Sequence, residues 1–375
     1  MRFFITVAIL LLSIVLPTLS AASQEVPELQ INSERYIVID AKTGQVYAQK
    51  GARDEVAIAS LTKIFTAVQA LEMAPPDTPI TTTADDLFGS AHTLMGFGPN
   101  ETYTLEDMIY GMLLPSGNDA AHAIARSLGG QPGDTAEEAV QRFMDLVNQR
   151  VLDMGLTDTH LITPSGWGVP GHHSSAWDVA AMMQHAMQYP LIEQAINTRS
   201  YTTSNGLLTV RNTNKLLNSY SALLGGKTGY DLDAGWCLVN VAEIGDRRMI
   251  AVTLDGIAPD DWYDDNRVLL DYGFDQTAEV ANWSGDVVVW QNPSIAQIER
   301  SASMDAALAG RSMAESNAVA DVVDSPRVLA AERETASRLA AGSTAAVMVA
   351  IVALLGMRGL LAFRRWPLGR ARPVS

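Results

Sequence analysis

Ser60-Leu61-Thr62-Lys63 sets a hydroxyl and an amine one helical turn apart on the same face. A serine hydroxyl is a poor nucleophile until a base takes its proton, and lysine serves as that base once burial or a second cation lowers its pKa. Ile58, Ile64 and Phe65 surround Lys63 in sequence, an apolar setting that asks for a reason. Backbone N–H groups at the start of such a helix would face the negative charge that develops during attack. Taken alone, the pair is more commonly a helix-capping serine and a solvated lysine, so it needs companions.

Two companions are present. Ser116-Gly117-Asn118 follows Pro115 in a tight break between apolar segments, where the hydroxyl can relay a proton and the amide can hold a substrate amide; a plain turn is the alternative. Lys-Thr-Gly occurs twice. Lys42-Thr43-Gly44 lies between two short β-prone runs and fits a hairpin turn, whereas Lys227-Thr228-Gly229 follows Gly225-Gly226 into a strand-rich segment. The second copy is taken as functional, with a cation and a hydroxyl on a strand edge that substrate backbone can approach. Zinc-peptidase H-E-x-x-H and the G-x-S-x-G elbow are both absent. His172-His173 has no third ligand at motif spacing and reads as a structural loop, and the single cysteine, Cys237, reads as a small core residue.

The positioning elements follow from periodicity. Tyr36 to Asp40 and Val46 to Lys50 form a hairpin, then a helix runs from Ser60 to Met73 with Leu61, Ile64, Phe65, Val68 and Leu71 at helical spacing, and Pro75-Pro76 ends it. Thr104 caps a helix from Leu105 to Leu114 with Asp107 in the reciprocal position; further helices run to Leu128 and from Thr135 to Met154. After Leu223 the period changes to two. Gly235 to Ile244 and Arg248 to Asp255 read as strands joined at Gly245-Asp246, and Trp262 to Tyr272 as a closing helix. Strands at both ends with helices between give an α+β domain in which the terminal strands share one antiparallel sheet.

The chain has 375 residues, a net charge of −16 and 47% hydrophobic residues, enough apolar content for a sizeable core. Met1-Arg2, the apolar run to Leu16 and Ser20-Ala21-Ala22 have the form of a secretory signal. Ala340 to Met357 is uncharged and would make roughly 27 Å of helix. Leu360 to Phe363 extend it, and Arg364, Arg365, Arg370 and Arg372 mark a cytoplasmic flank. Without these arginine-bearing ends the remainder is more acidic still, which excludes a nucleic-acid partner. The expected plan is a signal peptide over 1–22, a catalytic domain over 23–275, an acidic Ala/Ser-rich stalk over 276–339 that packs little on that domain, a transmembrane helix over 340–363 and a basic tail over 364–375.

The ordered triple S-x-x-K, S-x-N and K-T-G is that of penicillin-binding proteins and class A β-lactamases. More closely, the sequence resembles the low-molecular-mass D-alanyl-D-alanine carboxypeptidases across roughly 30–275. The likeness lies in Ile58 to Ala67, Leu114 to Ala121, Gly171 to Ala176, Asn212-Thr213-Asn214, Gly225 to Gly229 and Ala234 to Leu238. It departs at Asp231, where that family usually carries a small hydroxyl residue, and in lacking an evident β-rich second domain.

The resemblance implies a serine β-lactamase/D,D-peptidase-like fold, an antiparallel sheet flanked by helices with an inserted helical subdomain. It implies a bacterial, cell-wall-facing serine peptidase that removes the terminal D-alanine from peptidoglycan stem peptides and is acylated by β-lactams. Ser60 would be the nucleophile and Lys63 its base, Ser116 would relay a proton, and Asn118 would complete the catalytic set. Lys227, Thr228, Gly229 and Tyr230 would bind substrate, with the Ser60 and Tyr230 N–H groups as oxyanion hole; no metal or other cofactor is implied. Cross-link endopeptidase, β-lactamase and non-catalytic binding protein are the rivals. The second lacks a Glu-x-x-Leu-Asn element between Ser116 and Lys227.

Overall fold

The computed structural model describes residues 29–257, 261–276 and 286–291. The expected signal peptide, transmembrane helix and basic tail lie outside these residues, as does most of the expected stalk. Among the described residues no helix is long and apolar enough to cross a membrane.

The chain opens with the expected hairpin, β1 (Arg35–Asp40) and β2 (Val46–Lys50). Its Lys42-Thr43-Gly44 turn is pinned by Asp40, whose Oδ1 accepts from the Lys42 and Thr43 N–H groups at 2.9 and 2.8 Å. A 3-10 turn, Ala59–Leu61, leads into α1 (Thr62–Met73), so Ser60 precedes the α-helix itself, and no side chain caps either start.

Two small strands, β3 (Pro79–Thr81) and β4 (Thr102–Thr104), bracket a long loop. The helical layer continues with α2 (Leu105–Leu113), α3 (Asn118–Gly129), α4 (Ala136–Asp153), α5 (Ala176–Ala186) and α6 (Pro190–Asn197). Reciprocal capping boxes at Thr104/Asp107 and Thr135/Glu138 start α2 and α4, each contributing about 1 kcal/mol.

A second small pair, β5 (Ser200–Thr202) and β6 (Thr209–Arg211), precedes the long strands β7 (Leu223–Asp231), β8 (Gly235–Ile244) and β9 (Arg247–Gly256), and α7 (Asp261–Asp275) closes the body. The sheet order is β2-β1-β9-β8-β7, all antiparallel, so the first and last thirds of the chain meet at β1–β9 and β7 is an edge.

Alternation along the strands sends Ile37, Ile39, Val239, Val241, Ile250 and Val252 into the core shared with the helical layer. Val38, Leu238, Met249 and Ala251 point the other way, against Trp262, Leu269 and Leu270 of α7. Cys237 is fully buried, and burial pushes its thiol up to about 12.

The segment 286–291 lies on the body, contrary to the expectation that everything after 275 packs little. Val288 is buried, its N–H donates to Gly44 O at 2.7 Å, and Trp290 Nε1 donates to Gln184 Oε1 at 3.0 Å. Gly44 has φ +75, and a Cβ there would sit 2.1 Å from Val288 O, so the hairpin-turn glycine is also the docking point of this segment. Burying one such valine contributes roughly 1.5–3 kcal/mol.

Candidate active site

Register on the edge strand decides where the second Lys-Thr-Gly points. Lys227 pairs with Val239 and Thr228 with Leu238, so Lys227 turns to the helical layer and Thr228 to the opposite side. Lys227 Nζ reaches Ser116 Oγ at 2.9 Å and Thr228 O at 2.7 Å. Gly229 lies against the nucleophile turn: a Cβ there would come 3.1 Å from both Ser60 N and Ile58 O. Its missing side chain therefore lets β7 meet the Ser60 backbone.

Backbone strain sits beside the reacting groups. Ala59 has φ +44 and Ser116 φ +64, conformations that cost an L-residue about 1 kcal/mol or more. The Ala59 turn is held from behind. Gly166 packs so closely that a Cβ there would be 1.9 Å from Ala59 O. Thr62 Oγ1 donates to that same carbonyl at 2.9 Å. His172 Nδ1 accepts from Ile162 N–H at 3.0 Å, which leaves Nε2–H to donate to Thr62 Oγ1 at 2.8 Å. Burial holds His172 down at about 4, so it stays neutral and buttresses the turn. The histidine loop is structural, as its composition suggested.

Lys63 is fully buried, and its Nζ lies 2.8 Å from Ser60 Oγ, 2.8 Å from Asn118 Oδ1 and 2.7 Å from Ser165 O. Burial, and then the Lys227 charge, hold its pKa well below the ordinary lysine value, with Asp119 pulling the other way. Neutral Lys63 has two N–H bonds and one lone pair. Asn118 Oδ1 and Ser165 O accept the two hydrogens, and the lone pair is left for the Ser60 hydroxyl. Lys227 is also buried, and burial brings it to about 7. Asp119 fixes the loop over the site, accepting from the Met95 and Gly96 N–H groups at 2.7 and 2.8 Å; burial raises its carboxyl.

These groups border an open cleft of about 410 Å³ lined by Ser60, Ser116, Asn118, Thr228, Gly229 and Tyr230. Six of the eight site residues named from sequence thus line it directly, while Lys63 reaches it through Ser60 and Lys227 stands behind the wall, acting through Ser116 and Thr228. Thr213 lines the same cleft, its hydroxyl 2.8 Å from that of Thr228, and Tyr263 Oη donates to Thr213 O at 3.1 Å. Sequence reading missed the Ser165 carbonyl, His92, which is 3.0 Å from Asn118 Nδ2, and Trp167, whose ring lies tilted against that of His92 with centroids 4.0 Å apart. A backbone carbonyl carries no sequence signal, and neither His92 nor Trp167 belongs to a spaced motif. Glu193-Gln194-Ala195-Ile196-Asn197 approximates the element absent from the sequence, but Glu193 is bound to Arg248 at 3.0 Å and does not line the cleft.

A serine whose hydroxyl meets a buried, proton-poor lysine at the edge of an antiparallel sheet defines the class of active-site serine enzymes that work by acyl transfer. The family model described as D-alanyl-D-alanine carboxypeptidase matches residues 20–258, and the chain belongs to that family of serine peptidases. D-alanyl-D-alanine carboxypeptidase DacF of Bacillus subtilis is 30% identical over 258 residues, 66% of this chain and 64% of the relative. DacB2 of Mycobacterium tuberculosis is 30% identical over 249 residues, 64% of this chain and 82% of the relative. The crystal structure of the Streptomyces K15 DD-transpeptidase superposes with a TM-score of 0.63 at 28% identity, covering 67% of this chain and all of that one. The chain thus spans just under two thirds of the Bacillus relative, and the α+β fold is the one expected.

Proposed function

We propose that the protein is a D-alanyl-D-alanine carboxypeptidase acting outside the cytoplasm on peptidoglycan stem peptides through an acyl-enzyme on Ser60. The observation that carries this reading is the 2.8 Å contact between Ser60 Oγ and a fully buried Lys63 whose other two hydrogens are already engaged. Lys63 takes the hydroxyl proton as Oγ attacks the penultimate D-alanine carbonyl. The Ser60 and Tyr230 N–H groups hold the oxyanion. Its collapse breaks the C–N bond, the leaving nitrogen receives a proton through Ser116, and water then cleaves the ester with Lys63 again as base. The Thr228 and Thr213 hydroxyls face the terminal carboxylate, with the Lys227 charge behind them. A β-lactam supplies the same carbonyl and carboxylate, so a mass increase equal to benzylpenicillin on Ser60 tests the reading directly.

Lys227→Ala is expected to slow a substrate ending in a free carboxylate about 10- to 100-fold more than its C-terminal amide, the scale of one charge-assisted contact. Equal losses on both would confine Lys227 to orienting Ser116. Lys42→Ala, in the exposed hairpin turn, is expected to leave both rates unchanged.

The membrane helix at 340–363, which the sequence supports, makes the protein single-pass with its catalytic domain outside. A chain ended after Asn292 is expected in the soluble fraction and still labelled by penicillin. A chain ended after Gln276 also loses buried Val288, and its Tm is expected to fall by roughly 5–10 °C. Labelled Asn292-ended protein in the membrane fraction would show a second attachment, and equal melting of the two truncations would show that 286–291 contributes nothing.

A further inference from the structure

Beyond Tyr230 the cleft runs into a second cavity of about 310 Å³, walled by Trp167, Gly168, Tyr230, Asp231 and Asp233. Trp167, Tyr230 and Asp231 also line the Ser60 cleft, so the two are continuous. Its walls combine two features that favour a cation. Trp167 and Tyr230 are 42% and 50% exposed, and each is braced from behind, Trp167 by His92 at 4.0 Å and Tyr230 by Trp236 at 4.2 Å. Braced aromatic faces attract an ammonium group.

Two carboxylates converge on the same wall. A Cβ on Gly168 would lie 3.2 Å from Asp231 Oδ2 and 3.7 Å from Asp233 Oδ2. Asp231 divides its oxygens between two tasks. Oδ1 closes the β7–β8 turn, accepting from the Asp233 and Ala234 N–H groups at 3.0 and 2.7 Å. Oδ2 is buried and has no hydrogen-bond partner among the described residues. The turn therefore accounts for only half of this carboxylate. The cleft is also polarised along β7: Lys215 lines its far end and Lys227 stands behind Thr228, while Asp231 and Asp233 hold the near end.

We propose that this cavity receives the side chain of the residue preceding the D-alanyl pair, and that it selects one ending in an ammonium group. The placement rests on the carboxypeptidase reading. With the carboxylate at Thr213 and Thr228 and the scissile carbonyl between the Ser60 and Tyr230 N–H groups, the acyl part of the peptide must run past Tyr230 toward Asp231. Asp231 and Asp233 are then specificity determinants.

The test compares Nα-acetyl-L-lysyl-D-alanyl-D-alanine with its Nα,Nε-diacetyl analogue on the full chain, reading the ratio of their kcat/KM values. The protein is expected to prefer the ammonium-bearing peptide roughly five- to tenfold at low salt and less at high salt. Asp231→Asn, which keeps an Oδ1 acceptor for the turn, and Asp233→Asn are each expected to bring the ratio toward one. A ratio near one in the unaltered protein, an unchanged ratio in both variants, or equal slowing of both peptides would overturn the proposal. A benzylpenicillin adduct on Ser60 without any peptide preference would overturn the subsite alone. No adduct and no hydrolysis of either peptide would overturn the carboxypeptidase reading and the subsite with it.

Discussion

Ser60→Ala is expected to abolish peptide hydrolysis and penicillin labelling together, with kcat falling about 10⁴- to 10⁶-fold, as when the nucleophile of a mutually dependent catalytic set is removed. Ser60 Oγ is the hydroxyl in contact with Lys63 Nζ, and it opens on the cleft. The same substitution is expected to leave stability nearly untouched. Sequence alone suggested a capping serine, whose loss costs about 1 kcal/mol, but Ser60 lies within the 3-10 turn and its side chain caps neither that turn nor α1. Stopped assays with labelled penicillin, set beside thermal melts, check both halves. Labelling that survives in Ser60→Ala would place the nucleophile elsewhere.

Lys63→Met is expected to slow acylation about 10²- to 10⁴-fold, the usual contribution of a general base. In the unaltered protein acylation should fall as pH drops through the lowered Lys63 pKa, because the protonated amine has no lone pair to offer. Stability carries the matching signature. A buried lysine with a depressed pKa binds its proton less readily than the same lysine in the unfolded chain, where the value is about 10.4. Between those two values the unfolded state holds more protons, so stability rises with pH across that window. Lys63→Met should lose its share of the rise, while Lys227, at about 7, keeps its own. Denaturant titrations at about pH 7 and about pH 9.5 on both proteins measure the difference. Full labelling of Lys63→Met at neutral pH would assign the base to another group, and Lys227 would be the next to test.

The long elements were legible because their signals are local. Helix α1 shows a continuous apolar stripe, β8 and β9 are near-continuous apolar runs joined at a Gly-Asp turn, and α2 and α4 carry capping pairs three residues apart. The pairs β3–β4 and β5–β6 were not legible. Each strand has three residues, too few for a period, and each exists because a partner strand across a loop supplies its hydrogen bonds. In segment 286–291 the apolar run Val287 to Trp290 is visible in the sequence, but not its destination, because only the folded Gly44 turn receives Val288.

At the site, sequence by itself determined which side chains are the candidates for the chemistry. Ser60, Lys63, Ser116, Asn118 and Lys227 are identifiable because a hydroxyl or an amine is a property of a residue type, and motif spacing is a property of the chain. Only the tertiary structure decided what those groups can do. Sheet register turned one Lys-Thr-Gly toward Ser116 and left the other in a hairpin turn. It put Lys227 behind the cleft wall, gave Thr213 a place beside Thr228, and brought the Ser165 carbonyl to Lys63. The readiness of Lys63 to stand as a neutral amine follows from removing water around it and setting a second lysine nearby. Desolvation and Coulomb interaction depend on distances between segments remote in sequence, and those distances exist only once the chain has folded.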